Sequence, residues 1–378
     1  MMKMKYTRLK IRALKKYFST KYRILNYSSD SIWTGLHVLG LICVVILFLF
    51  SIYLLNISNE SGPNCYLDEY WKDGKTLNEI SDNLLLRNSS QPNNVFFHET
   101  SCIKDGMLRL NARQACAIES AALMNPDHNI FVMFTSQVGF RNLSSLPIID
   151  ALLSYPNVHL NYLNITKYAE NTPLEDWILT NKLFESQYLI SHTSDVLRFL
   201  SLFKFGGTYL DLDIVMLKSL NNQKPHNFAA AESHIAVAVG IIHMEGKTGH
   251  EIAEMCLNDL KKNFNGKNWS NNGPYVLTRV LYEICRTKDI QQMIDKDICT
   301  NFRVLPIEDC YDIGWSELHK FFKPEYLNET LGRISDALMT HVWNKDSARI
   351  PLSKEANVAY IHLAKKYCPR TLEACDHF

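Results

Sequence analysis

Short, uninterrupted apolar runs punctuate the chain beyond residue 90. Val95 to Thr100, Asn129 to Phe134 and Val158 to Leu163 each have the length and bounding residues of a buried strand. Between the first two, Arg113 to Met124 has helical spacing and stops before Asn125-Pro126, since the residue ahead of a proline is driven out of the helical region. Strands that read as solid apolar runs, alternating with helices, predict an α/β domain whose sheet is mostly parallel and covered on both faces. Sheets of that kind take ligands at the carboxyl ends of their strands. A further helix is predicted from an N-cap at Ser194 through Asp195, Arg198 and Phe203 to the Gly206-Gly207 break, which feeds a strand carrying Asp211 and Asp213.

A different pattern governs the N-terminus. Leu36 to Leu55 is almost wholly apolar, and no Lys, Arg, Asp or Glu occurs between Asp30 and Glu60, which is long enough to cross a bilayer. The run is too long for the core of a cleaved signal peptide, and no small-residue cleavage site follows it. The expected organisation is a basic cytoplasmic tail over 1–30, a transmembrane signal-anchor over 31–55, a luminal stem over 56–92 with a weak helical patch around Leu77 to Leu86, and a catalytic domain over 93–378.

Charge supports that topology. The chain has 40 Lys+Arg and 39 Asp+Glu, but nine of the bases and only one acid fall within the first thirty residues. Basic flanks stay cytosolic, so the bulk of the protein faces the lumen as a type II protein, and the basic run calls for no nucleic-acid partner. Seven sequons, at Asn56, Asn59, Asn88, Asn142, Asn164, Asn268 and Asn328, and nine cysteines beyond the span suit an oxidising compartment. Most of those cysteines are expected to pair, the odd number leaving one over.

Candidate chemistry centres on Asp211 and Asp213. On an extended strand the side chains of i and i+2 share a face, so both carboxylates can meet one divalent cation while Leu212 turns into the core. Hard oxygen donors suit Mn²⁺ or Mg²⁺. Asp195 and Arg198, three apart, share a helix face; alone they would be read as a surface ion pair. Glu99 and Thr100 end the first strand where a nucleotide would lie. Asn272-Gly273-Pro274 reads as a turn, and His243, Glu245 and His250, spaced across Gly246 and Gly249, suit a loop better than a metal site.

With Phe97-His98-Glu99-Thr100, Ser194-Asp195-x-x-Arg198, Gly206-Gly207-x-Tyr209-Leu210-Asp211-x-Asp213, Asn272-Gly273-Pro274 and His341-Val342-Trp343-Asn344-Lys345 together in order, the chain resembles the Golgi α1,4-glycosyltransferases from about residue 94 to Cys368. The resemblance implies a GT-A fold, a UDP-sugar donor, Mn²⁺ with Mg²⁺ as the alternative, and retention at the anomeric carbon. It implies that Asp211 and Asp213 bind the metal, Asp213 directly, with His341 completing the sphere. Read from the residues alone, His341 is equally well a core histidine.

The same resemblance places Asp195, Arg198 and Asn272 in the catalytic set and adds Glu99, Thr100, Gly273 and Trp343 to the donor site, Trp343 closing over it. Arg198 would support phosphate charge. A galactose-terminated glycolipid such as lactosylceramide is the implied acceptor and the Golgi membrane the implied setting, with room for a homo-oligomer. Ala236 to Ile242 is expected to line the donor pocket; it departs from the Asn-Gly-Ala of the galactosyltransferases, which leaves Gal, GalNAc and GlcNAc open. No carboxylate declares itself as a nucleophile, so front-face attack is preferred to double displacement. A catalytically silent, membrane-tethered glycan-binding protein is the competing reading, and the intact Asp-x-Asp and Arg198 speak against it.

Overall fold

A computed structural model describes residues 45–46, 66, 74–81, 93–222, 227–296 and 298–378. The basic tail, the apolar span apart from Val45 and Ile46, and the greater part of the stem lie outside the described residues, and among those described no helix is long and apolar enough to cross a membrane. Apart from Val45 and Ile46, the described residues all belong to the unit from residue 62 onward.

Its elements begin with β1 (Lys75–Thr76), β2 (Asn94–Glu99), α1 (Ala112–Met124), β3 (Asn129–Phe134), β4 (Gly139–Phe140) and β5 (Val158–Tyr162). Then come α2 (Leu189–Phe205), β6 (Gly207–Leu210), β7 (Ile214–Met216), β8 (Asn227–Ser233), β9 (Ala236–Met244), α3 (Gly246–Asn263), α4 (Pro274–Cys285), β10 (Phe302–Leu305) and β11 (Met339–His341). Seven strands form one sheet in the order β10-β8-β9-β6-β2-β3-β5. The β2–β3, β3–β5, β2–β6 and β8–β10 pairs are parallel, and β9 alone runs against its neighbours. The mixed α/β class and mostly parallel sheet expected from the apolar runs are therefore present.

Both faces of β2 are covered, which is why its sequence shows no polar alternation. Phe96 joins the cluster of α2, α3 and α4 (Val196, Ile252, Val276), whereas Val95 and Phe97 join that of α1 (Ala115, Ile118). Asn111 caps α1 reciprocally with Gln114. A third cluster joins Cys116 of α1 to the C-terminal helices, where Cys116 is bonded to Cys368.

Several expectations are corrected. Helix α2 starts at Leu189, so Ser194 lies inside it instead of capping it. The first turns of α2 are held by packing and by its contact with the loop before α4, signals that a capping rule does not read. Asp211 and Asp213 sit in the turn between β6 and β7 rather than on an extended strand. Residues 74–81 are not helical: β1 pairs with β4, and Glu79 bridges Tyr162. Gly246 and Gly249 begin helix α3 instead of making a loop. Cys285 pairs with Cys299 and Cys102 is also disulfide-bonded, but Cys256, Cys310 and Cys375 are buried thiols, more than the single leftover expected.

Candidate active site

The end of α2 and the start of β6 determine the site. Gly206 closes the helix at φ +63, a conformation that costs glycine little. Gly207 then passes so close to β2 that an added Cβ would lie 2.4 Å from the Asn94 carbonyl oxygen. This tight passage sets β6 beside β2 and delivers Asp211 to the carboxyl end of the sheet, next to Glu99 and Thr100.

Arg198 organises one side. Its Nε–H donates to the Ser194 carbonyl (3.2 Å), Nη1 to the Val239 carbonyl (2.6 Å) and Nη2 to Ser194 Oγ (2.9 Å). Nη2 also lies 3.2 Å from Asp195 Oδ1 and Nη1 3.3 Å from Asp211 Oδ1, and the guanidinium caps the Tyr209 ring at 4.5 Å. Read alone, the pair would sit at the surface; it is buried and lines the cavity. Burial opposes the charge of Arg198, but Asp211, Tyr209 and Asp195 outweigh it and hold its pKa above the ordinary value. With all three nitrogens engaged by the protein, Arg198 fixes the two carboxylates and contributes its field to the cavity rather than offering a free fork. Asp195 is pushed up to about 7 by burial, against the pull of Arg198; the Gly273 backbone packs on it so closely that a Cβ there would lie 2.3 Å from Oδ1.

The other side is a triad. Asp211, Asp213 and His341 bring one potential ligand atom each within 4.8 Å of one another. Oδ1 of Asp211 is occupied by the Tyr209 hydroxyl (2.6 Å) and Arg198. Oδ2 is its remaining oxygen. Asp213 Oδ2 accepts the Asn344 N–H at 2.9 Å, and its Oδ1 lies 3.1 Å from His341 Nε2. A separation near 3 Å is what adjacent ligands of one octahedral ion at roughly 2.1 Å require, so Asp213 and His341 are spaced for Mn²⁺ or Mg²⁺, and Asp211, within 4.8 Å, adds a second carboxylate of the right chemistry. Asp213 and His341 also act on each other's protonation. Burial opposes charge on both partners, but each lowers the cost for the other, so Asp213 is held below and His341 above its usual range.

Trp343 has φ +57, a left-handed conformation seldom adopted by so bulky a residue. This turn lets its N–H donate to His341 Nδ1 (3.2 Å) while its indole N–H donates to the Ile313 carbonyl (2.9 Å). His341 Nδ1 being an acceptor, Nε2 carries the ring proton.

These groups line one cavity of about 730 Å³, together with Glu99, Thr100, Trp343 and, as expected, Ala238, Val239 and Gly240 of β9. Glu99 accepts from Ser101 N–H (2.7 Å) and Gln114 Nε2–H (2.5 Å), and the Thr100 hydroxyl donates to the Ile190 carbonyl (2.9 Å). Asn272 stands apart. Its amide is spent on both backbone groups of Asn265, at 2.9 Å each, so it holds the loop before α4 and does not line the cavity. Gly273 likewise reaches the cavity only through Asp195. His243 and Glu245 lie 3.5 Å apart, and His250 bonds to the Phe203 carbonyl instead of joining them.

Sequence reasoning missed Tyr311 and Glu232. The Tyr311 hydroxyl is buried and has no hydrogen-bond partner among the described residues; a Cβ on Gly240 would lie 2.9 Å from it and 2.8 Å from Asp211 Oδ2. Glu232, at the end of β8, faces the cavity with its pKa raised by burial and by Asp211, against the pull of His341. No motif marks either residue. The end of an inner strand and a distant loop carry them in.

Residues 245–375 match the family described as "Alpha 1,4-glycosyltransferase conserved region", and residues 111–229 match "Glycosyltransferase sugar-binding region containing DXD motif". Lactosylceramide 4-alpha-galactosyltransferase of Homo sapiens is 32% identical over 288 residues, covering 75% of this chain and 77% of that protein; the Pan troglodytes protein of the same name gives the same figures. Alpha-1,4-N-acetylglucosaminyltransferase of Homo sapiens is 27% identical over 68% of this chain and 74% of its own. Among solved structures, the PaToxG glycosyltransferase covers 68% of this chain and 83% of its own at 16% identity, with a TM-score of 0.37, too loose a likeness to argue from.

Proposed function

We infer, because this chain belongs to the α1,4-glycosyltransferase family and is a hexosyltransferase, that it moves Gal, GalNAc or GlcNAc from a UDP-sugar, in α1,4 linkage and with retention, onto a galactose- or GalNAc-terminated glycolipid. The observation that carries this reading is the convergence of Asp211, Asp213 and His341 with Arg198 at one end of a nucleotide-sized cavity. A GT-A arrangement, a luminal catalytic domain and a Golgi anchor over 31–55 complete the proposal, on the strength of the sequence pattern.

Asp211, Asp213 and His341 would hold Mn²⁺, or Mg²⁺ in its place. When bound, the cation supplies positive charge against the leaving diphosphate. Arg198 holds Asp211 in position and adds a second positive field. Glu99 and Thr100, at the end of β2, bound the cavity where the nucleoside would lie. Trp343, held rigid by its indole hydrogen bond, covers the metal side and excludes water there. Glu232 faces the reaction space as the acceptor of a sugar hydroxyl, while front-face attack leaves the acceptor's proton to the departing phosphate.

The test is a panel of radiolabelled UDP-sugars with Mn²⁺, offered to lactosylceramide, other glycolipids and glycoprotein acceptors. Label transferred to a galactose-terminated lipid and bound through O4 is the expected product. No transfer and no UDP release with any donor would leave the chain a silent glycan-binding relative.

A further inference from the structure

The charged cluster fills the inner end of the cavity. Its open side carries two tryptophans. Trp269, in the loop before α4, is 43% exposed, and Trp315, opening the turn Trp315–Phe321, is 58% exposed; both line the cavity. An indole in water forgoes the burial that usually takes it into a core, and apolar surface beside a cleft marks a binding face.

Both rings are nevertheless pinned. Trp269 Nε1–H donates to Ser191 Oγ at 3.2 Å, and Trp315 Nε1–H donates to Asp346 Oδ2 at 2.9 Å. Lys345 stands over Trp269 with Nζ 3.9 Å from the ring centroid. Lys345 and Asp346 are neighbours on the short helix Asn344–Ser347, whose first N–H holds Asp213. The turn of chain that completes the metal cluster thus fixes both indoles at the mouth. Neither ring stacks on another aromatic ring among the described residues, and both stay part-exposed at the cavity although Lys345 covers one face of Trp269.

We propose that Trp269 and Trp315 form the acceptor subsite, each offering a ring face to the C–H face of a pyranose. This rests on the sugar-transfer reading of the cavity. Aromatic faces are electron-rich and attract polarised C–H groups. In a galactoside the C–H bonds of carbons 3, 4 and 5 lie on one face and the axial 4-hydroxyl projects from the other. A galactose stacked on indole therefore turns its 4-hydroxyl away from the ring, toward the cavity, as transfer to that oxygen requires. A glucoside, whose 4-hydroxyl is equatorial, lacks this presentation. Rings held by hydrogen bonds need no ordering when the sugar arrives, which lowers the entropic cost of binding.

The experiment uses the purified full-length protein and methyl β-lactoside. Saturation-transfer NMR, run with and without UDP and Mn²⁺, reports binding without turnover, and initial rates give KM and kcat where transfer occurs. Trp269→Ala and Trp315→Ala are expected to weaken binding and raise the acceptor KM about tenfold each, with kcat little changed; Trp→Phe at either position restores most of the loss. The Kd for UDP with Mn²⁺ stays at the wild-type value, which separates this subsite from the donor side. Unchanged lactoside binding in both alanine variants overturns the proposal, as does the absence of any lactoside signal from the wild type. Failure of UDP and Mn²⁺ to bind while lactoside binding depends on the tryptophans would instead remove the transferase reading and leave the glycan platform standing.

Discussion

Nε2 of His341 stands 3.1 Å from Oδ1 of Asp213, although β11 and the turn after β6 are far apart in the chain. The antiparallel pairing of β11 with β7, which sets His341 opposite Ile214, makes that contact. Asp213→Ala is expected to abolish sugar transfer and Mn²⁺ binding while leaving the fold intact, because β7 and β11 stay paired through their backbones. Activity assays with a thermal melt check this; retained turnover would remove Asp213 from the metal site.

Acid should weaken the metal site. His341 carries its ring proton toward Asp213, and its pKa is raised by that carboxylate. A cation at Nε2 must displace a proton, so Mn²⁺ affinity falls as pH is lowered through the histidine range. Calorimetric titrations between about pH 6 and 8 should show tighter binding and less proton release at the alkaline end. An affinity independent of pH would exclude His341 as a ligand.

Gly240 is a test of space. A methyl group there would lie 2.8 Å from Asp211 Oδ2 and 2.9 Å from the Tyr311 hydroxyl, closer than real Cβ contacts allow. Gly240→Ala should cost about 1–3 kcal/mol of stability and loosen Mn²⁺ binding at least about tenfold, since Oδ2 is the oxygen of Asp211 left for the ion. A melt and a metal titration on the same preparation measure both effects.

Glu232 decides between two routes to retention. A double displacement would need a carboxylate nucleophile, and its removal would cost several orders of magnitude. Glu232→Gln keeps the shape and a hydroxyl-binding amide. Front-face attack predicts that this variant loses no more than about a hundredfold in kcat and that the wild-type protein forms no trapped glycosyl-protein on mass spectrometry.

Asp195 opposes folding once ionised. Its pKa of about 7 in the folded protein exceeds the unfolded carboxyl value, so its contribution is complete below about pH 4 and is lost as pH rises through 7. Asp195→Asn has no such titration. In metal-free protein the two should melt together near pH 4, and the Asn variant should be the more stable by up to about 4 kcal/mol at pH 8. Parallel melts with pH-matched buffers follow the difference.

The strands β2, β3 and β5 were legible as short apolar runs, and β2 shows the reason most clearly because both of its faces are buried. Phe96 and Val95 face opposite clusters, and a strand so enclosed has to be apolar throughout. Asp211 and Asp213 were legible from their spacing and from Gly206-Gly207. The shape of the backbone that holds them, a turn and not a strand, was not. Ser194 looked like a cap because its hydroxyl can serve as one, yet it is spent on Arg198 and Tyr209 inside a helix that packing extends to Leu189.

By itself, then, the sequence determined the α/β class, the parallel bias of the sheet, the acidic pair and the family, all properties that depend on neighbours in the chain or on ordered motifs. Only the tertiary structure decided which groups share the cavity: that Asn272 is a loop staple, that Arg198 is wholly engaged by the protein, that Tyr311, Glu232 and two exposed tryptophans join the site. Those placements arise from strand pairing and loop packing between residues distant along the chain, and burial and hydrogen bonding act on where a side chain ends up in space, which no local pattern records.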